Sequence, residues 1–359
     1  MHNETYPDKI IQLTEEEHLK LFAKVKPIYD GVSPDKKYYV KTREGEKFFL
    51  RVYESFKFSG KQLEFKFMQQ LTDLGVSSSE PIEIGVYANE KTGYTLTKWI
   101  DNGTLLHAFF PSCSVMYKYF LGRQFGESVR KMHSASPTII EPYKSCFELY
   151  EEIAKDSANM SKLYPDMAQR VSNMHLTIEH YKHLLDPRPQ KIIHGDLALG
   201  NLIFENGVLH FIDFVRVSLH DPWYELAYLA YNFTKRGKSY QTFYNGMLHS
   251  YFNGEPPTEF WHLLTLYTAI FAMQKAVAPS KIQSTAAIPF IKLFDDCLNL
   301  LNDDANLIPK WYCTEKTMRA RVFKVNLKMP KKIMSTIWRA FIAYKNIGIS
   351  GILNKFFRK

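Results

Sequence analysis

The chain has 359 residues, 45% of them apolar and 15% aromatic, with a formal net charge of +9. That length and composition fit two core-bearing globular units. The longest apolar-dominated run, around Leu263 to Met273, is too short to span a bilayer. The opening MHNETYPDKIIQLTEEE has neither the charged nor the apolar region of a secretory signal. Cys113, Cys146, Cys297 and Cys313 form no metal-spaced pair, and free thiols fit a reducing cytoplasm. Residues 313–359 hold 12 of the 46 Lys and Arg and only one of the 37 acids, which leaves the rest at −2. The basic balance belongs to that tail, so it gives no reason to read the whole chain as a nucleic-acid binder.

In chain order, residues 8–27 are expected to form an amphipathic helix, with Thr14 as N-cap and three Glu in its first turn. A turn-rich loop from Pro27 to Asp35 leads into strand Lys37–Thr42, and Glu44-Gly45 turns the chain into strand Lys47–Val52. Arg51 sits among apolar strand residues, where a charge is costly unless paired. The next helix, Lys61 to Leu74, offers Glu64 as partner and Leu63, Phe67, Leu71 and Leu74 as its core stripe. Two further strands, Ile82–Val86 and Gly93–Ile100, end at the turn Asp101-Asn102-Gly103. Met116 to Ser134 has helical spacing, and His133 near its end reads as a packing residue. Beyond 190, helices are expected at Glu225–Phe233, Phe243–Tyr251, Phe260–Val277 and Ala287–Leu301.

Between those helices and Asp186-Pro187-Arg188-Pro189 lies the most informative stretch, Lys191 to Ala227. Leu202–Glu205 and Val208–Phe211 read as strands, and Asn206-Gly207 is the strongest two-residue hairpin signal. With those two as the turn, Glu205 pairs with Val208, and the register sets Asn201 opposite Ile212 and Gly200 opposite Asp213. Asn201 and Asp213 thus meet at the open end of the hairpin, with Asp196 just upstream. Oxygen ligands from one or two side chains, completed by phosphate oxygens and water, are how Mg²⁺ is usually held beside a nucleotide. The other Asp can accept the proton of an attacking hydroxyl. A structural hairpin with solvated polar residues at its end is the simpler alternative.

His194-Gly195-Asp196, Asn201, Ile212-Asp213-Phe214 and Asp221-Pro222-Trp223-Tyr224-Glu225-Leu226-Ala227 together resemble the signature of the aminoglycoside phosphotransferase family. The likeness spans roughly residues 20 to 312. It implies an α+β, two-lobed, protein-kinase-like fold. The expected lobes are an N-terminal nucleotide-binding lobe (1–98), with an antiparallel sheet and one helix, and a mainly helical catalytic and acceptor lobe (99–312). It also implies transfer of the γ-phosphoryl of ATP or GTP to a small-molecule hydroxyl. Asp196 is then the base, His194 supports its loop, and Asn201 and Asp213 hold Mg²⁺. Gly31 and Ser33 approach the phosphates, and Arg51 with Glu64 forms the strand-to-helix ion pair. Backbone groups near Lys98 and Ile100 meet the adenine edge. Asp221 or Glu225 bonds backbone amides of the catalytic loop, unless Glu225 faces a cationic acceptor. Val215 after Asp213-Phe214, and Gly195 after His194, depart from protein kinases.

Residues 313–359 depart from the family. Ile333, Ile337, Ala340, Phe341 and Tyr344 form an apolar face amid Lys and Arg, the composition of a basic interfacial helix on an anionic membrane. This would make the protein cytoplasmic and peripheral on the inner face of the membrane. Docking of the tail on the body and an acidic partner are the alternatives. For function, the alternatives are a kinase-like binding module without catalysis and an enzyme acting on a sugar, glycan or lipid-linked acceptor at the membrane. The sequence says nothing of oligomeric state.

Overall fold

The structure is a computed structural model that describes residues 10–29, 33–136, 151, 155, 158, 168–185, 188–233, 236–278, 285–301 and 307–325. It divides into two compact units. Among the described residues, the first takes those up to Phe109 plus Leu199–Val217, and the second takes Phe110–Ala198 and those from Ser218 onward.

In the first unit, β1 (Ile10–Ile11) precedes α1 (Glu15–Lys20), β2 (Lys24–Pro27), β3 (Lys36–Lys41), β4 (Lys47–Glu54), α2 (Phe58–Asp73), β5 (Pro81–Tyr87) and β6 (Thr92–Lys98). These strands form one six-stranded sheet in the order β1-β5-β6-β4-β3-β2, antiparallel except where β1 meets β5. Alternation along β4 puts Phe48, Leu50 and Val52 inside with Val40, Tyr87, Tyr94 and Leu96. The helix expected over 8–27 is shorter than its pattern. Thr14 and Glu17 close a capping box, but the helix ends at Lys20, and Lys24–Pro27 pairs with β3 instead. Four residues of polar-apolar alternation suit a sheet edge better than a fifth helical turn.

Two short elements, β7 (Thr104–Leu105) and α3 (Leu106–Phe109), complete the amino-terminal part of this unit. The hairpin follows later in the chain, as Leu202–Glu205 and Val208–Phe211, in the predicted register: Val208 opposite Glu205 and Phe211 opposite Leu202. Asn206 (φ 50°) and Gly207 (φ 90°) are both left-handed, as a type I′ turn requires. The pairing continues past the strands, where the Ile212 amide donates to the Asn201 carbonyl at 3.1 Å.

The second unit is mainly helical. Helix α4 (Val115–Met132) lies directly against the helix Lys238–Tyr251. Glycines make that approach possible: a Cβ on Gly122 would stand 2.0 Å from the Phe243 carbonyl oxygen, and one on Gly246 would stand 2.3 Å from that of Tyr119. Helices Pro222–Phe233, Thr258–Val277 and Ile288–Leu301 bury most of the remaining aromatic residues. A short antiparallel pair, Lys191–Ile193 with Ser218–His220, flanks the loop that carries His194 to Asp196.

Part of the basic tail belongs to this unit. Residues 315–325 form a helix whose Met318 is buried with Met116, Tyr119, Phe120 and Cys313. Glu315 pairs with Arg123 and, at 2.8 Å, with Arg319. The membrane-facing segment proposed from sequence, Ile333 to Tyr344 and beyond, lies outside the described residues. Among the described residues, no helix is long and apolar enough to cross a membrane. A chain ending at Tyr312 is therefore expected to be less stable than one ending at Val325, by about 2–5 kcal/mol for losing a buried Met-sized side chain and its ion pairs. Thermal melts of the two truncations check this; equal midpoints would remove residues 313–325 from the folded core.

Candidate active site

The loop that carries His194 to Asp196 is held from behind. Glu225, in the first turn of helix Pro222–Phe233, is 2% exposed and accepts hydrogen bonds from the amides of Gly195 (2.6 Å) and His194 (3.3 Å). His133 stands 3.0 Å from the same carboxylate through Nε2, and its Nδ1 is 2.9 Å from the Tyr251 hydroxyl. His194 is fully buried, and its Nδ1 accepts the amide hydrogen of Asp196 at 3.3 Å. Asp196 itself remains partly exposed. A rigid loop thus ends in a reachable carboxylate. His133 is indeed packed, as expected, but it also holds Glu225.

Asp221 does not bond the loop amides, contrary to one expectation; those amides go to Glu225. Asp221 instead accepts from the Trp223 amide (2.9 Å), from Arg188 Nε (2.7 Å) and from the Tyr267 hydroxyl. It caps the helix that carries Glu225, and its full burial is offset by Arg188, which also stacks on Trp223 at 4.3 Å. Arg188 has no signal in the sequence beyond its place between two prolines, because its acidic partners Asp221 and Glu259 lie 33 and 71 residues away.

In the first unit, Asn201 ends the turn Leu199–Asn201 before the hairpin, and Asp213 follows it. Asp213 is left-handed (φ 65°), a costly conformation for a residue with a Cβ. The neighbouring Phe214 is buried and meets Phe67 of α2 edge-on at 5.5 Å, which anchors the strained turn. The Asp213 side chain is 40% exposed, and its Oδ1 lies 3.5 Å from Arg51 Nη2. Two oxygen donors, one of them a solvent-accessible carboxylate, suit Mg²⁺, which takes few protein ligands beside phosphate.

The expected Arg51–Glu64 pair is not closed. Glu64 takes Lys61, three residues earlier on the same helix, at 2.7 Å, and Arg51 turns to Asp213. Burial raises the Glu64 pKa, with Lys61 and Arg51 opposing that rise. The buried stripe of α2 runs through Lys61, Phe65, Phe67, Met68 and Leu71, so Lys61 occupies a core position that the expected stripe left out.

Of the two residues expected at the adenine edge, Lys98 gives its amide to the Glu80 carbonyl (2.8 Å); the amide of Trp99, between them, goes to the Lys47 carbonyl (3.0 Å). Ile100 follows the last of these sheet bonds. Trp99 packs edge-on against Tyr39, as expected. Ser33 accepts the Asp35 amide hydrogen at 3.3 Å. Gly31 lies outside the described residues. Among the described residues, no group of three or more His, Cys, Asp or Glu is placed to hold a metal.

The model of the phosphotransferase enzyme family matches residues 24–261, more than half of the chain. No curated protein sequence matches it. Among solved structures, the ADP-bound aminoglycoside phosphotransferase APH(2'')-Ib aligns with a TM-score of 0.56 at 15% identity, covering 81% of this chain and 97% of that one. Amicoumacin kinase hAmiN in complex with AMP-PNP, Ca²⁺ and Ami aligns with a TM-score of 0.55 at 12% identity, covering 81% and 90%. A choline/ethanolamine kinase family protein from Mesorhizobium loti gives 0.51 at 15%, covering 84% and 93%. At these identities the likeness is one of fold. With the family match, it shows that the chain belongs to the phosphotransferase enzyme family, the aminoglycoside phosphotransferase family of kinase-like fold.

Proposed function

We propose that this enzyme moves the γ-phosphoryl group of ATP or GTP to a hydroxyl of a small molecule. What carries the reading is the pairing of Asn201 with Ile212 at the open end of a register-fixed hairpin in the first unit, just before Asp213, beside a braced loop that carries Asp196 in the second, in a chain of this family. Asp196 accepts the proton of the acceptor hydroxyl and orients its oxygen. Asn201 and Asp213 would hold Mg²⁺, and the ion would supply neutralising charge to the phosphates. Arg51 donates to phosphate oxygens in a fork that Lys could not reproduce. With the Lys98 amide already bonded, the nucleobase edge falls to the backbone of Ile100. The ADP and AMP-PNP bound in two of the solved structures support a nucleoside triphosphate as donor.

The test is nucleotide consumption with Mg²⁺ against separate pools of aminoglycosides, choline-like alcohols and sugars. A phosphate ester is expected in one pool; nucleotide binding without turnover in all of them would favour a binding module. Asp213→Ala is expected to lose the Mg²⁺-dependent part of nucleotide affinity, about tenfold or more, and Asn201→Ala somewhat less. Calorimetry with and without Mg²⁺ reads both. An affinity indifferent to the ion in the unaltered protein would remove these two residues from the assigned role.

A further inference from the structure

An exposed imidazole stands near the open end of the hairpin, within the first unit. His107 belongs to α3, and the neighbours of α3 hold it rigidly. Leu106 is fully buried, and Phe109 stacks flat on Phe204, with ring centroids 4.6 Å apart and planes 4° from parallel. β7 pairs with the same hairpin strand, Thr104 opposite Phe204 and Leu105 opposite Ile203. The short helix therefore rides on the hairpin and lies against the turn Leu199–Asn201. A Cβ added to Gly200 would stand 3.9 Å from His107 Nδ1. The ring is thus beside the residue that precedes Asn201.

A nucleotide is ordered as base, ribose and phosphates. With its base edge at the backbone of Ile100 and its phosphates at Asn201 and Asp213, the ribose falls between them, along residues 101–107 and Gly200. Few side chains there are free to meet it. Asp101 is held by Lys47 at 2.7 Å. Gly103 has no side chain, and its Cβ position is closed by Ile203 Cγ2 at 2.3 Å and Ile100 Cγ2 at 3.0 Å. Ile100 and Gly103 therefore share the Ile203 face of the hairpin. Thr104 pairs with Phe204, so its side chain is on the opposite face. Leu105 is apolar. His107 remains, and its chemistry suits a sugar. A ribose presents two vicinal hydroxyls, each donor and acceptor, and a neutral imidazole has one donor and one acceptor nitrogen.

We propose that His107 hydrogen-bonds a ribose hydroxyl of the nucleotide and so makes the site select ribonucleotides over their deoxy counterparts. This rests on the reading of a nucleoside triphosphate as donor, its base at Ile100 and its phosphates at Asn201 and Asp213.

Calorimetry with Mg²⁺ tests it on the unaltered protein, His107→Ala and His107→Gln. The probes are ATP or GTP, whichever binds more tightly, and the 2′-deoxy and 3′-deoxy forms of the same nucleotide. The unaltered protein is expected to bind the ribonucleotide about three- to tenfold more tightly than at least one deoxy form, which is the worth of one hydrogen bond. His107→Ala should lose that factor for the ribonucleotide and nothing for that deoxy form, so the discrimination disappears. His107→Gln keeps a donor and an acceptor and should recover part of it. The side chain is exposed, so the thermal midpoints of both variants should match that of the unaltered protein. Equal affinity for all three nucleotides in the unaltered protein overturns the proposal. Discrimination that survives His107→Ala overturns it too, as does a loss in that variant that is the same for all three, which would assign His107 to the phosphates or to the shape of the turn. Binding of neither ATP nor GTP by the unaltered protein would overturn the functional reading itself, and the ribose contact with it.

Discussion

Asp196→Asn yields a protein that binds nucleotide normally and transfers phosphoryl groups 10²- to 10⁴-fold more slowly, the usual cost of losing a general base, on the order of 3–5 kcal/mol of barrier. The substitution keeps the shape of the side chain and removes its basicity. It leaves the support of the loop untouched, because that support comes through the amides of His194, Gly195 and Asp196, which bond to Glu225 and to His194 Nδ1. Nucleotide affinity should therefore hold, and the thermal midpoint should stay close to that of the unaltered protein. Single-turnover kinetics with bound nucleotide separate the chemical step from binding. A variant with full kcat would leave Asp196 as a loop residue only.

Most of the hairpin could be read from the sequence because local chemistry determines it. Asn206-Gly207 specifies a type I′ turn, and the turn specifies the register out to Asn201 and Ile212. The helices from Pro222 onward were legible for a similar reason: long apolar periodicity survives most errors of boundary. What the sequence misses is the choice among partners. Arg51 has two acids within plausible reach, and nothing in its neighbourhood tells Glu64 from Asp213. The choice was settled by Lys61, whose place on the buried stripe is visible only once the helix phase is known. Asp221 and Glu225, four residues apart, were both candidates for bracing the loop. Helix geometry turns Glu225 to the loop and leaves Asp221 to cap the helix. The residues 8–27 misled for a different reason: amphipathic spacing there is carried by two short elements of different period.

Glu225→Ala should damage both stability and turnover, and in that it differs from Asp196→Asn. The carboxylate is the acceptor for the buried amide of His194 and the half-buried amide of Gly195, and the partner of His133 Nε2. Removing it strands three polar groups in a site that water scarcely reaches. Each unsatisfied group costs about 1–3 kcal/mol, and some will find new partners, so a loss of about 3–5 kcal/mol is expected. Urea denaturation should show this as a lower midpoint at an unchanged slope. If the protein still folds, the loop loses the anchor that places Asp196, and a displacement of about 1 Å at a catalytic group can cost about 10² in rate. Glu225→Gln keeps one carbonyl oxygen for an amide but presents an NH₂ to the other donor, so it should lie between the two. His133→Ala removes one partner and leaves both loop amides satisfied. Its effect on kcat should be the smallest of the three, even where its effect on stability is plain. The ordering Ala, Gln, then His133→Ala in loss of kcat is what a loop-bracing role requires. An acceptor-binding role for Glu225 would instead raise the acceptor KM and spare the thermal midpoint.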